Sequence, residues 1–190
     1  MGENGKIFLK AKKDITLTAG SKTEASGPQG GEITIQSEAG SATIAGVVEA
    51  IGAQGKGGSI SVAAPVAVTI APTARVSADG IEGGSVTLTS TTGSVTVAAP
   101  VTADASVRRA GQVAVNAATT AALASTGQLS ASGGQGDGAV SVKGGSGVAL
   151  ESGSVAQANG ATGGSVTVQA AQGAVEAAGT IDATGNVDVG

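Results

Sequence analysis

Aliphatic and polar residues alternate in short runs that return along the chain at a nearly constant distance. Residues 83–88 read Gly-Gly-Ser-Val-Thr-Leu, and close copies stand at 57–62 and 163–168. With looser copies included, the anchoring glycine falls at positions 5, 31, 58, 84, 111, 138, 164 and 185. The steps between these positions are nearly equal, apart from a shorter last one. A period this steady indicates a solenoid of stacked coils.

Each copy carries aliphatic residues two positions apart, the pattern of a strand with one buried face. A helix does not fit, because glycine recurs and β-branched residues dominate. The first aliphatic position forms a predicted structural ladder: Ile7, Ile33, Ile60, Val86, Val113, Val140, Val166 and Val187. The second position holds Leu9, Ile35, Val62, Leu88, Val115, Val142, Val168 and Val189.

Two further alternating pairs occur in most periods, one near the middle of the period and one near its end. The first set is Ile15/Leu17, Val68/Ile70, Val95/Val97, Ala121/Leu123 and Val148/Leu150; the second is Val48/Ala50, Val76/Ala78, Val101/Ala103, Leu129/Ala131 and Ile181/Ala183. Three short strands per period predict an all-β fold, a right-handed parallel β-helix of about seven triangular coils. At one strand spacing per coil the rod is roughly 34 Å long. We expect one repeat domain over residues 1–190, cut from a longer protein.

Composition removes several classes of function. Aromatic residues make up 1% of the chain, and histidine, cysteine, tryptophan and tyrosine are absent, which excludes disulfides and thiolate chemistry. The net charge of −4 argues against a nucleic-acid partner. The sequence shows neither a membrane-spanning apolar run nor a signal-peptide core. We expect no cofactor, no metal and no catalysis.

Two acidic positions are the candidates for chemistry. Asp79 and Asp104 follow their glycines at similar distances, so they are expected to stack on neighbouring coils. Paired carboxylates cleave polysaccharides in glycosidases, whereas aspartate in a turn is also a common structural residue. Residues 133–137 (Gly-Gly-Gln-Gly-Asp) approach a calcium-binding repeat, but the aspartate comes one residue early and the motif is not repeated.

Outward-facing positions offer further hypotheses. Small hydroxyl residues form a predicted ladder whose alternatives are simple stacking and an ice-binding face: Thr34, Ser61, Thr87, Ser141 and Thr167. Phe8 takes an outward position in a first coil rich in lysine, where it is expected to contact another segment or molecule, with a ligand role as the alternative. Pro65 and Pro100 are expected at corners, since proline cannot donate to a strand ladder.

The repeats resemble those of filamentous haemagglutinin-type large exoproteins of two-partner secretion. The resemblance rests on the Gly-Gly-Ser-Val-Thr strands and on the turns at 77–80, 130–133 and 180–183. It implies a β-helical shaft, secreted or on the bacterial surface, that carries adhesion modules toward a host cell or matrix. The Asn-Pro-Asn motif of that family's secretion domain is absent. The alternatives are a filament subunit that associates end to end and a polysaccharide-acting β-helix enzyme.

Overall fold

The computed structural model describes residues 5–185, and all regular structure in that range is β. Three sheets of seven parallel strands run the length of a β-solenoid of about seven coils. Each coil contributes one strand to each sheet, so the chain visits the first, second and third sheets in turn. The predicted all-β, three-sided parallel solenoid is confirmed.

The strands of the three sheets are short, and their bounds are as follows. The first sheet consists of Lys6–Ala11, Glu32–Ser37, Ser59–Ala64, Ser85–Ser90, Gln112–Ala117, Ala139–Gly144 and Ser165–Ala170. The second consists of Ile15–Leu17, Ala42–Ile44, Ala67–Ile70, Ser94–Val97, Thr120–Leu123, Gly147–Leu150 and Val175–Ala177. The third consists of Lys22–Glu24, Val47–Glu49, Arg75–Ser77, Pro100–Thr102, Gln128–Ser130, Val155–Gln157 and Thr180–Asp182. A fourth sheet of two strands, which the pattern did not predict, pairs Gly52–Lys56 with Gly80–Glu82.

The predicted structural ladder is present in register from Ile7 to Val166. Its interior members, from Ile33 to Val140, are at most 1% exposed. They form one continuous aliphatic core with the inward residues of the other two sheets. Val187 and Val189, the last predicted members of the two aliphatic columns, lie outside the described residues.

Some strands escaped sequence reasoning because their inward residues are small or polar. Thr23 and Ala156 occupy the core position of the third sheet, and Ala42 occupies that of the second.

One proline prediction needs correction. Pro65 lies between strands as expected, but Pro100 is the first residue of a strand, where its missing donor is tolerated.

The nearly constant coil length conceals two variable connections. In the third sheet Thr23 pairs with Val48, and Val48 pairs with Val76, so the second step along the chain is clearly the longer one. In the first sheet the corresponding steps, from Ile7 to Ile33 and on to Ile60, are nearly equal. When the third-sheet strand of a coil comes a residue or two sooner in the sequence, the loop that follows it is longer by about the same number. The strands of the first sheet therefore stay in register.

A recurring backbone hydrogen bond closes four of the loops between the third and first sheets at their base. The amide of Gly31 donates to the carbonyl oxygen of Ala25 at 2.7 Å, and that of Gly58 donates to Ala50 at 2.7 Å. The same bond joins Gly84 to Ala78 and Gly111 to Ala103, both at 2.8 Å. The hydrogen bond separates the loop from the core, so the length of the loop can vary without disturbing the packing of the core.

Glycine is required at this position because consecutive coils approach closely there. A Cβ atom on Gly84 would lie 2.1 Å from the carbonyl oxygen of Gly58, and one on Gly31 would lie 2.0 Å from that of Gly5. Both distances are far below van der Waals contact, so a side chain would push the coils apart. Glycine therefore recurs once per period because successive coils pack backbone against backbone at this position.

Candidate functional site

The segments that lead from the third sheet back to the first concentrate the candidate residues, and we call them the corner loops. They comprise residues 26–30, 51–57, 79–83, 104–110, 132–137 and 159–163. Successive corner loops stack through backbone hydrogen bonds, as between the amide of Gly83 and the carbonyl oxygen of Arg109 at 2.9 Å. Variable loops on a rigid scaffold are where binding and catalytic groups are most often found.

Asp79 lies at the start of its corner loop with both carboxylate oxygens engaged. Its Oδ2 accepts hydrogen bonds from the hydroxyl of Ser77 at 2.6 Å and from that of Thr102, one coil on, at 2.9 Å. Its Oδ1 accepts from the backbone amide of Asp104 at 2.7 Å. The predicted stacking of Asp79 and Asp104 on neighbouring coils is therefore confirmed.

Asp104 repeats this arrangement toward the following coil. Its Oδ1 accepts hydrogen bonds from the Ser130 hydroxyl and from the Ser132 backbone amide, both at 2.6 Å. Burial raises the pKa of the Asp104 carboxyl, and the nearby charge of Asp79 adds to the rise, while the bonds from Ser130 and Ser132 oppose it. Ionised Asp104 is thus held where a charge is unfavourable.

The same position forms a ladder of polar side chains, interrupted at Ile51, that sequence reasoning did not find. Ser26 Oγ accepts from the Ile51 amide at 3.0 Å, and Asn159 Oδ1 accepts from the Thr184 amide at 2.9 Å. Ser132 Oγ continues the series toward the amide of Asn159 at 3.3 Å. Serine, aspartate and asparagine share one property here, a short side chain with an acceptor oxygen. That shared chemistry, rather than residue identity, was the signal available in the sequence.

An open groove of about 390 Å³ runs along the later part of this ladder, lined in part by Asp104, Ser132 and Asn159. The carboxylate pair of a glycosidase faces its substrate across the scissile bond. Here Asp79 and Asp104 instead direct oxygens at the backbone and hydroxyl groups of the next coil. This geometry supports a structural use of both carboxylates, the capping of corner amides.

The calcium-like segment at 133–137 also makes contacts within the protein. Asp137 accepts a hydrogen bond from the hydroxyl of Thr162 in the following corner loop. Across residues 5–185 the structure shows no cluster of three or more acidic side chains suited to a metal ion. Asp137 thus extends the side-chain contacts between successive corner loops.

The outward hydroxyl ladder of the first sheet is in register as predicted, interrupted by Ala114 between Thr87 and Ser141. A second ladder, which sequence reasoning missed, lies on the second sheet. It consists of identical side chains on four consecutive coils: Thr16, Thr43, Thr69 and Thr96. The ice-binding face stays a prediction.

Part of the positive charge of the first coil is paired with acidic side chains of the first and second coils. Lys6 pairs with Glu32 at 2.9 Å, and this hydrogen bond and charge raise the pKa of Lys6. Lys22 bridges Glu24 at 2.8 Å and Glu49 at 3.4 Å. Phe8 projects outward between the lysines and is 61% exposed, in agreement with the prediction for its orientation.

No family model, no curated protein and no solved structure matches the chain. Over the described range, the chain contains no helix with the length and apolar character needed to cross a membrane.

Proposed function

We propose that this chain is the β-helical shaft of a secreted or surface-exposed bacterial exoprotein and acts as a rigid spacer for modules that contact a host cell or matrix. The observation that carries the proposal is the use of polar side chains in the corner loops. Asp79, Asp104 and Asn159 each bind the backbone of the next coil. Groups that would serve chemistry elsewhere here join one coil to another.

The three continuous sheets support the same role. Every interior coil is paired on both sides in all three sheets, so bending the rod requires backbone hydrogen bonds to break in parallel. The cysteine-free composition suits export through an oxidising envelope. The resemblance to two-partner secretion exoproteins adds the expectation of a surface location.

A display experiment tests the spacer function directly. The chain is placed between an outer-membrane anchor and an epitope, and the epitope's height is measured by energy transfer to a dye in the membrane. Removal of residues 58–110, two periods, is expected to lower the epitope by roughly 10 Å. A linker of the same length and shuffled sequence serves as the control. Equal heights for the full and shortened shafts would contradict the proposal.

The assignment to two-partner secretion has its own test. A gene for an outer-membrane transporter is expected beside the gene for the parent protein. Deleting that transporter is expected to retain the protein inside the cell. Secretion of the protein at an unchanged level would contradict the export route but not the spacer function.

A filament subunit is the second candidate, favoured by apolar residues exposed in the last described coil. Val175 and Ile181 stand at inward positions of the second and third sheets, yet they are 45% and 46% exposed. A second copy stacked end to end would cover them and continue the parallel ladders.

A further inference from the structure

The 104–110 corner loop combines a long strand-free backbone with high exposure. Residues 103–111 form the longest strand-free segment within the described range, between the third-sheet strand ending at Thr102 and the first-sheet strand starting at Gln112. Four consecutive residues, Ser106 to Arg109, are exposed, and Val107 is 49% exposed. The tip therefore exposes an aliphatic residue followed by two arginines.

The backbone of this tip is bonded to both neighbouring coils, with 2.9 Å from the Ser106 amide to the carbonyl oxygen of Gly80 and from the Gly83 amide to that of Arg109, but two of its other bonds are long. The amides of Val107 and Arg108 share one acceptor, the carbonyl oxygen of Ile81, at 3.3 and 2.8 Å. The carbonyl oxygen of Arg108 accepts from the amide of Gln135, also at 3.3 Å. An exposed loop with long hydrogen bonds opens locally at a lower free energy than the three-sheet ladders around it.

The charged groups of the two arginines have no acidic partner in the described residues. Within residues 5–185, neither Arg108 nor Arg109 forms an ion pair, whereas Arg75 lies 3.7 Å from Glu49. These three are the arginines of the whole chain. Arg75 therefore provides an internal comparison, since its side chain is also open, at 60% exposure, but its strand pairs with a neighbour on each side.

We propose that the 104–110 loop is a processing site at which an arginine-specific protease of the trypsin class cuts the folded shaft after Arg108 or Arg109. Water adds across the peptide bond, which leaves a carboxylate on the arginine and a free amine on the following residue. Loop tips of small and polar residues are the preferred places for such nicking.

The two pieces remain together after the cut. The coils on either side of the loop are joined in all three sheets, by pairing of Ser85–Ser90 with Gln112–Ala117, Ser94–Val97 with Thr120–Leu123, and Pro100–Thr102 with Gln128–Ser130. The aliphatic core also continues through this level, with Val86 and Val113 both at most 1% exposed. Cleavage therefore produces a shaft of two chains held without a covalent bond.

Limited digestion of the folded chain with an arginine-specific endoprotease tests the proposal, with mass spectrometry to identify the bonds cut. Cleavage after Arg108 or Arg109 is expected at least about tenfold faster than cleavage after Arg75, because the cutting rate follows local opening. The two fragments are expected to co-elute on size exclusion in native buffer and to separate in denaturant.

Matched variants complete the test. Arg108→Gln with Arg109→Gln is expected to abolish the early cut, and Arg75→Gln is expected to leave it unchanged. Circular dichroism of each variant establishes that the strand content is retained. An early cut after Arg75, equal rates at the three arginines, an intact chain under conditions that digest the denatured protein, or separation of the nicked fragments in native buffer would each overturn the proposal.

Discussion

Asp79 and Asp104 are joined by a hydrogen bond of 2.7 Å from the Asp104 backbone amide to Asp79 Oδ1. The side chain of one coil thereby satisfies a backbone donor of the next, at a corner where the regular ladders are interrupted. The other oxygen of Asp79 binds one hydroxyl on its own coil and one on the following coil. A single carboxylate therefore fixes the relative position of two coils.

Replacing Asp79 by alanine is expected to destabilise the fold by roughly 2–3 kcal/mol, because three donors lose their acceptor. Urea unfolding followed by circular dichroism measures the loss. Glu82→Ala is the matched control from the same corner loop, since the Glu82 side chain makes no hydrogen bond or ion pair within residues 5–185. Equal losses in the two variants would show that the ladder contributes little.

The negative charge of Asp104 is expected to lower the stability of the fold. The raised pKa of Asp104 means that the folded protein binds a proton at this site more tightly than the unfolded chain does. Stability contributed by this group is therefore greatest below the ordinary aspartate pKa and falls as the pH rises through the folded pKa. Asp104→Asn keeps an acceptor oxygen and is expected to be more stable than the wild type at pH 7. Unfolding free energies from pH 3 to 8 that fall equally in both proteins would contradict this cause.

Val113 and Ala114 test the inward and outward register of the first sheet. Val113 is 1% exposed in the core, whereas Ala114 points outward on the same strand. Val113→Asp buries an unpaired charge and is expected to cost roughly 4 kcal/mol or more, while Ala114→Asp is expected to change stability by about 0.5 kcal/mol. Urea midpoints decide the matter, and similar shifts in both variants would mean that the register is wrong.

The glycine column gives a prediction about coil spacing. Gly84→Ala forces a Cβ atom against the carbonyl oxygen of Gly58 and is expected to cost about 1–3 kcal/mol. Gly147→Ala is the control, because the nearest atom to its added Cβ is 3.3 Å away. Side chains already fill the equivalent place in other coils, as at Thr120. Thermal unfolding should separate the two variants, and a tolerated Gly84→Ala would refute the close-packing explanation.

End-to-end association is tested at the last described coil. Val175→Lys with Ile181→Lys places charges on the exposed apolar positions and is expected to suppress concentration-dependent growth in light scattering. The scattering intensity of the wild type is expected to rise with protein concentration at low salt. A wild type that stays monomeric under those conditions would rule out the filament candidate.

The sequence was sufficient for the fold where side chains are constrained by packing. Residues such as Val86 and Val113 had to be aliphatic and evenly spaced, so their alternation predicted both the strand and its partner. Thr23 and Ala156 hold equivalent places with less apolar side chains, and their strands were missed for that reason. Apolar periodicity identifies a strand only when its inward residues are large enough to stand out.

The ladder of polar side chains in the corner loops shows how far function could be predicted from the sequence. Asp79 and Asp104 were identified as stacked carboxylates, but the sequence did not distinguish catalysis from capping. That distinction depends on which atoms their oxygens face, and backbone amides are the same at every position. The ladder therefore became visible only when the contacts of Ser26, Ser132 and Asn159 were known.

The in-register columns of the solenoid have a genetic consequence. Each coil presents the same sequence of backbone donors and acceptors to the coil before it and the coil after it. A tandem duplication of one period, wherever it begins in the coil, would insert a unit whose two faces already match its new neighbours. The rod would grow by about 4.8 Å per duplication without any new interface. Recombination between repeats can therefore adjust the reach of such a protein in uniform steps.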